Sequence, residues 1–158
     1  MQSPICTMLG IEFPLLAFSH CRDVIVAVSK AGGMGVFGAA ALPPERLEEE
    51  LAWIDAHIGG RPYGVDLIVP NSFAGKGDAS AAPAIPEAHR QFAADLLGKY
   101  DVDASGLDDA RETRQSFGDN MREDGAAKLL KVAFRHPIRL IANALGVPPP
   151  LMLELGKR

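Results

Sequence analysis

Residues 13–40 read FPLLAFSHCRDVIVAVSKAGGMGVFGAA. Phe13 to Phe18 is a short apolar run, which suits a strand buried on both faces. Ser19 to Asp23 is a polar break. Val24, Ala27, Val28 and Ala31 then recur at helical spacing. Gly32-Gly33 ends that helix, because glycine enters the left-handed conformation without a Cβ clash. Met34 to Phe37 is a second apolar run. The stretch is one β-α-β unit, the crossover that two parallel strands need. Ligands of parallel α/β folds sit at the carboxyl ends of the strands. The polar break after the first strand is therefore the place to look for chemistry.

The alternation continues outward. Pro43-Pro44 opens a helix, since proline is tolerated in a first turn. Acids at Glu45, Glu48, Glu49 and Glu50 suit its N-terminal dipole. Leu47, Leu51, Ile54 and Ile58 form its buried stripe, and Gly59-Gly60 stops it. Tyr63 to Val69 is a third strand, interrupted by one acid, Asp66. Residues 70–86 turn to Ala, Gly, Ser, Pro and Asn without a period, as a flexible loop or an active-site lid would. Glu87 to Tyr100 has helical spacing, and residues 101–119 read as an irregular insertion. Ala126 to Phe134 is a helix, broken by His136-Pro137. Ile138 to Leu145 is a fourth strand, and Leu151 to Leu155 begins a last helix. The expected architecture is α/β, with about four β/α units in one domain over residues 1–158.

The chain's 158 residues suffice for a sizeable core. Its formal charge of -4 gives no basic footprint for nucleic acid. No run approaches the ~20 apolar residues of a membrane helix. The N-terminus has no basic region of the signal-peptide kind. Cys6 and Cys21 match no zinc or redox spacing, so no metal and no disulfide framework is expected, and a cytoplasmic setting is.

Met8-Leu9-Gly10-Ile11, the Pro14 strand, Ser29-Lys30-Ala31-Gly32-Gly33 and Met34-Gly35-Val36-Phe37-Gly38-Ala39 follow one another in a recognisable order. Arg61-Pro62-Tyr63-Gly64-Val65-Asp66-Leu67 and Asn143-Ala144-Leu145-Gly146 with Pro148-Pro149 complete the set. This order resembles the N-terminal half of the nitronate monooxygenase family, once called 2-nitropropane dioxygenases. The resemblance implies a TIM-type (β/α)8 barrel, which typically takes ~250 residues. The chain then holds about the first four units, a partial barrel, with residues 1–12 packed across its bottom. The resemblance also implies FMN as cofactor and oxidation of alkyl nitronates or nitroalkanes with O2. The family's phosphate loops and usual catalytic histidine are expected beyond Arg158. A flavin-dependent enoyl-acyl-carrier-protein reductase is an alternative. So is a non-catalytic half-barrel, which exposed sheet edges would drive to oligomerise or to await a second chain.

Ala17, Phe18 and Ser19 fall where the family's first strand meets the flavin. Many members read Ala-Pro-Met-Ala there, whereas this chain reads Ala17-Phe18-Ser19-His20, so backbone contacts are the ones expected to carry over. The plain alternative is a turn with Ser19 as a helix N-cap. Asp66 stands where many members carry a flavin-contacting asparagine. A lone acid in an apolar strand needs a partner, and that partner is either the flavin or a lysine or arginine. Asn143 either joins the flavin site or ties down its strand end. His20 could reach the same face as a base, while His57, His89 and His136 read as surface residues near helix ends.

Overall fold

The computed structural model describes residues 3–70, 86–102, 117–144 and 146–157. The segments expected as a loop (70–86) and an insertion (101–119) fall largely outside them. Two compact units divide the chain, one of residues 1–73 and 116–158, the other of residues 74–115.

The first unit is built on four strands, β1 (Leu16–Ser19), β2 (Met34–Gly38), β3 (Tyr63–Leu67) and β4 (Leu140–Asn143). They lie in the order β1-β2-β3-β4 and every pair is parallel. Helices α1 (Pro4–Leu9), α2 (Arg22–Lys30) and α3 (Pro44–Ile58) belong to this unit. In the second unit, α4 (Glu87–Lys99) buries none of its side chains. The first unit resumes with a helical turn at 117–120, then α5 (Glu123–Ala133) and α6 (Pro150–Gly156).

Strand alternation sends side chains to two opposite cores. Phe37, Tyr63, Val65 and Leu67 face α2, α3, α5 and α6, where they meet Ile25, Leu47, Leu51, Ile54, Leu130 and Met152. The expected stripe of α3 is buried along its whole length. Met34 and Val36 face the other way and pack with Cys6, Leu9, Ile11 and Leu140, so the N-terminal segment covers part of the second face. Glycine lets α2 come close: the amide of Gly35 donates to the buried hydroxyl of Ser29, 3.0 Å away. The Ser-x-Ala-Gly-Gly pattern thus ties the end of α2 to the start of β2.

Two expectations change. The first strand begins at Leu16 rather than Phe13, because Glu12 and Phe13 both donate to the Gly32 carbonyl and Pro14 has no N–H to give a sheet. Nor is β1 buried on both faces: Leu16 and Phe18 are 43% and 56% exposed. As an edge strand, β1 has a neighbour on one side alone among the described residues.

His136 is the second correction. It is no surface residue, since its side chain is 7% exposed. Its Nδ1 lies 2.6 Å from Asp55 Oδ2 and its Nε2 3.5 Å from Glu48 Oε2, both on α3. Tyr63 donates to the other Asp55 oxygen at 2.7 Å. The cluster joins α3, the start of β3 and the turn before β4.

Glu50 is likewise more than a helix-dipole charge. It is buried and bridges Arg22 of α2 (3.2 Å) and Arg46 (2.8 Å). Arg22 also lies over the Trp53 ring at 4.4 Å.

Candidate active site

The parallel register decides which residues meet at the carboxyl end. Ser19 pairs with Phe37, Gly38 with Asp66, and Asp66 with Ala142. Phe18, Ser19, Asp66 and Asn143 therefore lie in the carboxyl-terminal halves of their strands, with Ala17 just before them in β1, but they do not do the same thing there.

Asp66 interrupts the apolar run of β3 on the face opposite Val65 and Leu67, the face that Gly64 and Gly38 leave open. Its Oδ1 is buried and has no hydrogen-bond partner among the described residues. Among the described residues no lysine or arginine forms an ion pair with it. Burial pushes its carboxyl above the usual carboxylate range, and the charge of His20 pulls in the opposite direction.

His20 follows β1 directly. Its Nδ1 lies 2.8 Å from the Gly38 carbonyl. A carbonyl can only accept, so Nδ1 carries the proton and donates it. The ring meets Phe18 edge to face, with centroids 5.0 Å apart. Gly38 makes this possible, because a Cβ there would overlap the Phe18 ring and approach His20 Cε1 to 2.8 Å. Two ring-bearing residues and a carboxyl are thus gathered around a glycine of the neighbouring strand.

Ser19 is not the helix cap that the turn alternative envisaged. Cys21 occupies the N-cap of α2, and its amide donates to Ser19 Oγ at 3.0 Å. The serine hydroxyl proton is left available to a further acceptor.

Asn143 ties down the strand end. Its Oδ1 accepts from the Val69 amide at 3.0 Å, and its Nδ2 donates to the Val69 carbonyl at 3.0 Å and to Val147 O at 3.4 Å. Its amide group mimics a β-strand for the segment leaving β3.

Among the described residues no group of three or more His, Cys, Asp or Glu could hold a metal ion. No described helix is long and apolar enough to cross a membrane.

Asp66→Asn should show what the orphaned acid does to stability. A carboxyl whose folded pKa is raised favours the protonated fold, so stability falls as pH climbs from the ordinary carboxylate range through the folded value. The neutral amide escapes that loss. The variant is expected to be more stable by about 0.5–1 kcal/mol at pH 7, a modest figure because the rest of the carboxyl is open to water. At pH 3 the gain should vanish. Urea midpoints at the two pH values check this, and equal midpoints at pH 7 would refute it.

No family model matches the chain. It is 48% identical over 159 residues to a protein of Mycobacterium tuberculosis named as a monooxygenase, a match covering 98% of this chain and 42% of the relative. A protein of Staphylococcus saprophyticus named as a nitronate monooxygenase is 29% identical over 75 residues, 45% of this chain and 21% of the relative. Among solved structures, nitroalkane oxidase from Streptomyces ansochromogenes superposes with a TM-score of 0.58 at 18% identity. That superposition covers 98% of this chain and 40% of the neighbour, which supports the fold as a partial barrel. The chain thus spans about two fifths of the length of the relative and of the structure that match nearly all of it. Four parallel β/α units, the order of their motifs and these likenesses make the chain similar to the N-terminal half of proteins named as monooxygenases and nitronate monooxygenases.

Proposed function

We propose that the chain supplies the N-terminal side of an FMN site in an oxidoreductase that oxidises alkyl nitronates or nitroalkanes with O2 in the cytoplasm. The supporting observation is the Asp66 Oδ1, buried at the carboxyl end beside the ends of β1 and β2 and without a hydrogen-bond partner among the described residues. The residues present suit a flavin. Asp66 in its protonated form donates a hydrogen bond to a ring carbonyl or nitrogen, and in its ionised form it accepts from a ring N–H. Ser19 has a hydroxyl proton to give. The backbone of Ala17, Phe18 and Ser19 lies on an edge strand. Phe18 offers an apolar wall that keeps water from the reacting carbon. Asn143 acts by holding Val69 in place. FMN, when bound, takes the electrons of the substrate and hands them to O2.

The exposed apolar side chains of Leu16 and Phe18 favour a second element of the reading. A parallel sheet normally has both faces covered. We propose that the site is completed by further β/α units, from a second copy of the chain or from another polypeptide.

One experiment addresses both. The purified chain is incubated with FMN, desalted, and its absorbance near roughly 450 nm, where flavins absorb, is read alongside its mass by light scattering. Retained flavin on a species heavier than the monomer is the expected result. A colourless protein would defeat the flavin reading. Oxidation of NADPH dependent on an enoyl thioester, without nitronate turnover, would favour the reductase alternative.

A further inference from the structure

We propose that two copies of this chain pair about a two-fold axis, the β1 edge of each against the β4 edge of the other, and so complete each other's candidate site; this rests on the reading above that further β/α units complete the site, and it names their source. The argument starts from α2. Its buried face carries Ile25, Val26 and Ser29, and Arg22 reaches across to Glu50 of α3. Val24, Ala27 and Ala31, three members of the apolar stripe that marks this helix in the sequence, lie outside that face and are exposed. Val24 is 42% exposed. An apolar stripe on a helix is built to be buried. Here the fold fills the α3 side of the helix and leaves the stripe open.

The other edge carries the complementary shape. Beside α6, Ile141, Pro148, Met152, Leu153 and Gly156 line an open groove of about 250 Å³, with Leu153 49% exposed. The small side chains of the α2 stripe make a low ridge of the kind such a groove accepts. Strands β1 and β4 are the outer strands of the sheet. Rotation about an axis along the strands keeps every strand parallel, so β4 of one copy can extend the sheet into β1 of the other. Four strands from each copy then make the eight at which side chains just fill a barrel's interior.

The exposed area is of the right size. Phe13, Leu15, Leu16, Phe18, Val24 and Leu153 are the large apolar side chains left open along the two edges. Across a pair they amount to on the order of 1,100 Å², before the strand backbones and the alanines are counted, and a stable interface takes about 1,200 Å² or more. One chain carries both ridge and groove, so a second copy meets both edges at once and leaves no edge over. Closure also serves the site. Leu16 and Phe18 share the face of Met34 and Val36, and Asp66 pairs with Gly38 on that same face. The second copy covers this face and sets its own β4 beside Ala17, Phe18 and Ser19.

Charge exchange between the two edges tests the pairing. Light scattering of the purified chain is expected to give twice the monomer mass. Val24→Arg and Leu153→Glu each alter one exposed helix position, and each places its charge at both junctions of a pair. Either variant alone should weaken dimerisation by about 100-fold or more, the effect of losing an anchor at two contacts. An equimolar mixture of the two variants should recover the dimer mass. In that mixed pair the opposite charges meet at one junction, and the other junction is unaltered. Recovery on mixing also shows that both variants are folded.

The proposal is overturned if the wild-type chain is a monomer, if it forms species heavier than a dimer, as an edge contact that fails to close would, if the single variants dimerise as tightly as wild type, or if the mixture stays monomeric. The flavin reading is judged apart from it, by FMN retained after desalting. A dimer that recovers on mixing but holds no FMN would sink the flavin site and uphold the pairing. A monomer that retains FMN would do the reverse.

Discussion

Gly35→Ala is expected to destabilise the first unit by about 3 kcal/mol, the upper end of the usual cost of overpacking. The added methyl would lie 2.6 Å from both Cα and O of Ile25 and 2.7 Å from its Cγ2. Two of these atoms are backbone, so no rotamer change relieves the overlap and α2 must move off the sheet. That movement would loosen the bond from the Gly35 amide to Ser29 and open the contact of Ile25 with the central core. It would also shift the Ser19–Cys21 turn, and with it the seat of His20. Gly98→Ala is the matched control: nothing lies within 4 Å of its Cβ position, and alanine favours a helix over glycine. Denaturant melts of the two variants should move in opposite directions or leave Gly98→Ala unchanged. A Gly35→Ala midpoint equal to wild type would mean that α2 does not pack on β2 as closely as described.

This close approach shows where sequence reading stops. The glycines of Gly32-Gly33-Met34-Gly35 are legible as turn-formers, and Gly32 does adopt a positive φ of 98°. That Gly35 serves instead as the floor under α2 depends on the distance between two elements, which no local pattern encodes. The strands of the sheet and the stripe of α3 were legible because burial imposes a period on the sequence. Asp66 was legible as a lone acid in an apolar strand; that it pairs with no lysine or arginine among the described residues required coordinates. The alternative that Asn143 ties down its strand end is the arrangement observed, but its partner, Val69, is 74 residues away. His136 was misread because its environment is supplied by Glu48 and Asp55, far upstream on α3. The exposure of β1 was misread because an apolar run looks the same on an edge as in the middle of a sheet. The tie from His20 to Gly38 leaves no signal in spacing at all.

Raising the pH above 10 is expected to unfold the protein through Tyr63. Its ring is fully buried, at 1% exposure, and its hydroxyl donates to Asp55 at 2.7 Å. Burial first, then the hydrogen bond to Asp55, then the negative charge of that carboxylate push the phenol far above its ordinary value. The unfolded chain releases this proton near pH 10 while the folded chain keeps it. Above that pH the unfolded state therefore binds fewer protons than the native state, and stability falls as pH rises. The limiting slope is about 1.4 kcal/mol per pH unit for one such group. The comparison that isolates Tyr63 is with Tyr63→Phe. That variant loses a hydrogen bond to a charged group and should start about 1.5–3 kcal/mol less stable at pH 8. Its alkaline decline should be shallower, so that by pH 12 the wild-type advantage has shrunk by roughly 2–3 kcal/mol. Urea unfolding of both proteins from pH 8 to 12 measures the two slopes. Parallel slopes would show that Tyr63 ionises in the fold as readily as in the open chain. The hydroxyl would then lie in water rather than against Asp55, and the link from α3 through Asp55 to His136 would lose its first member.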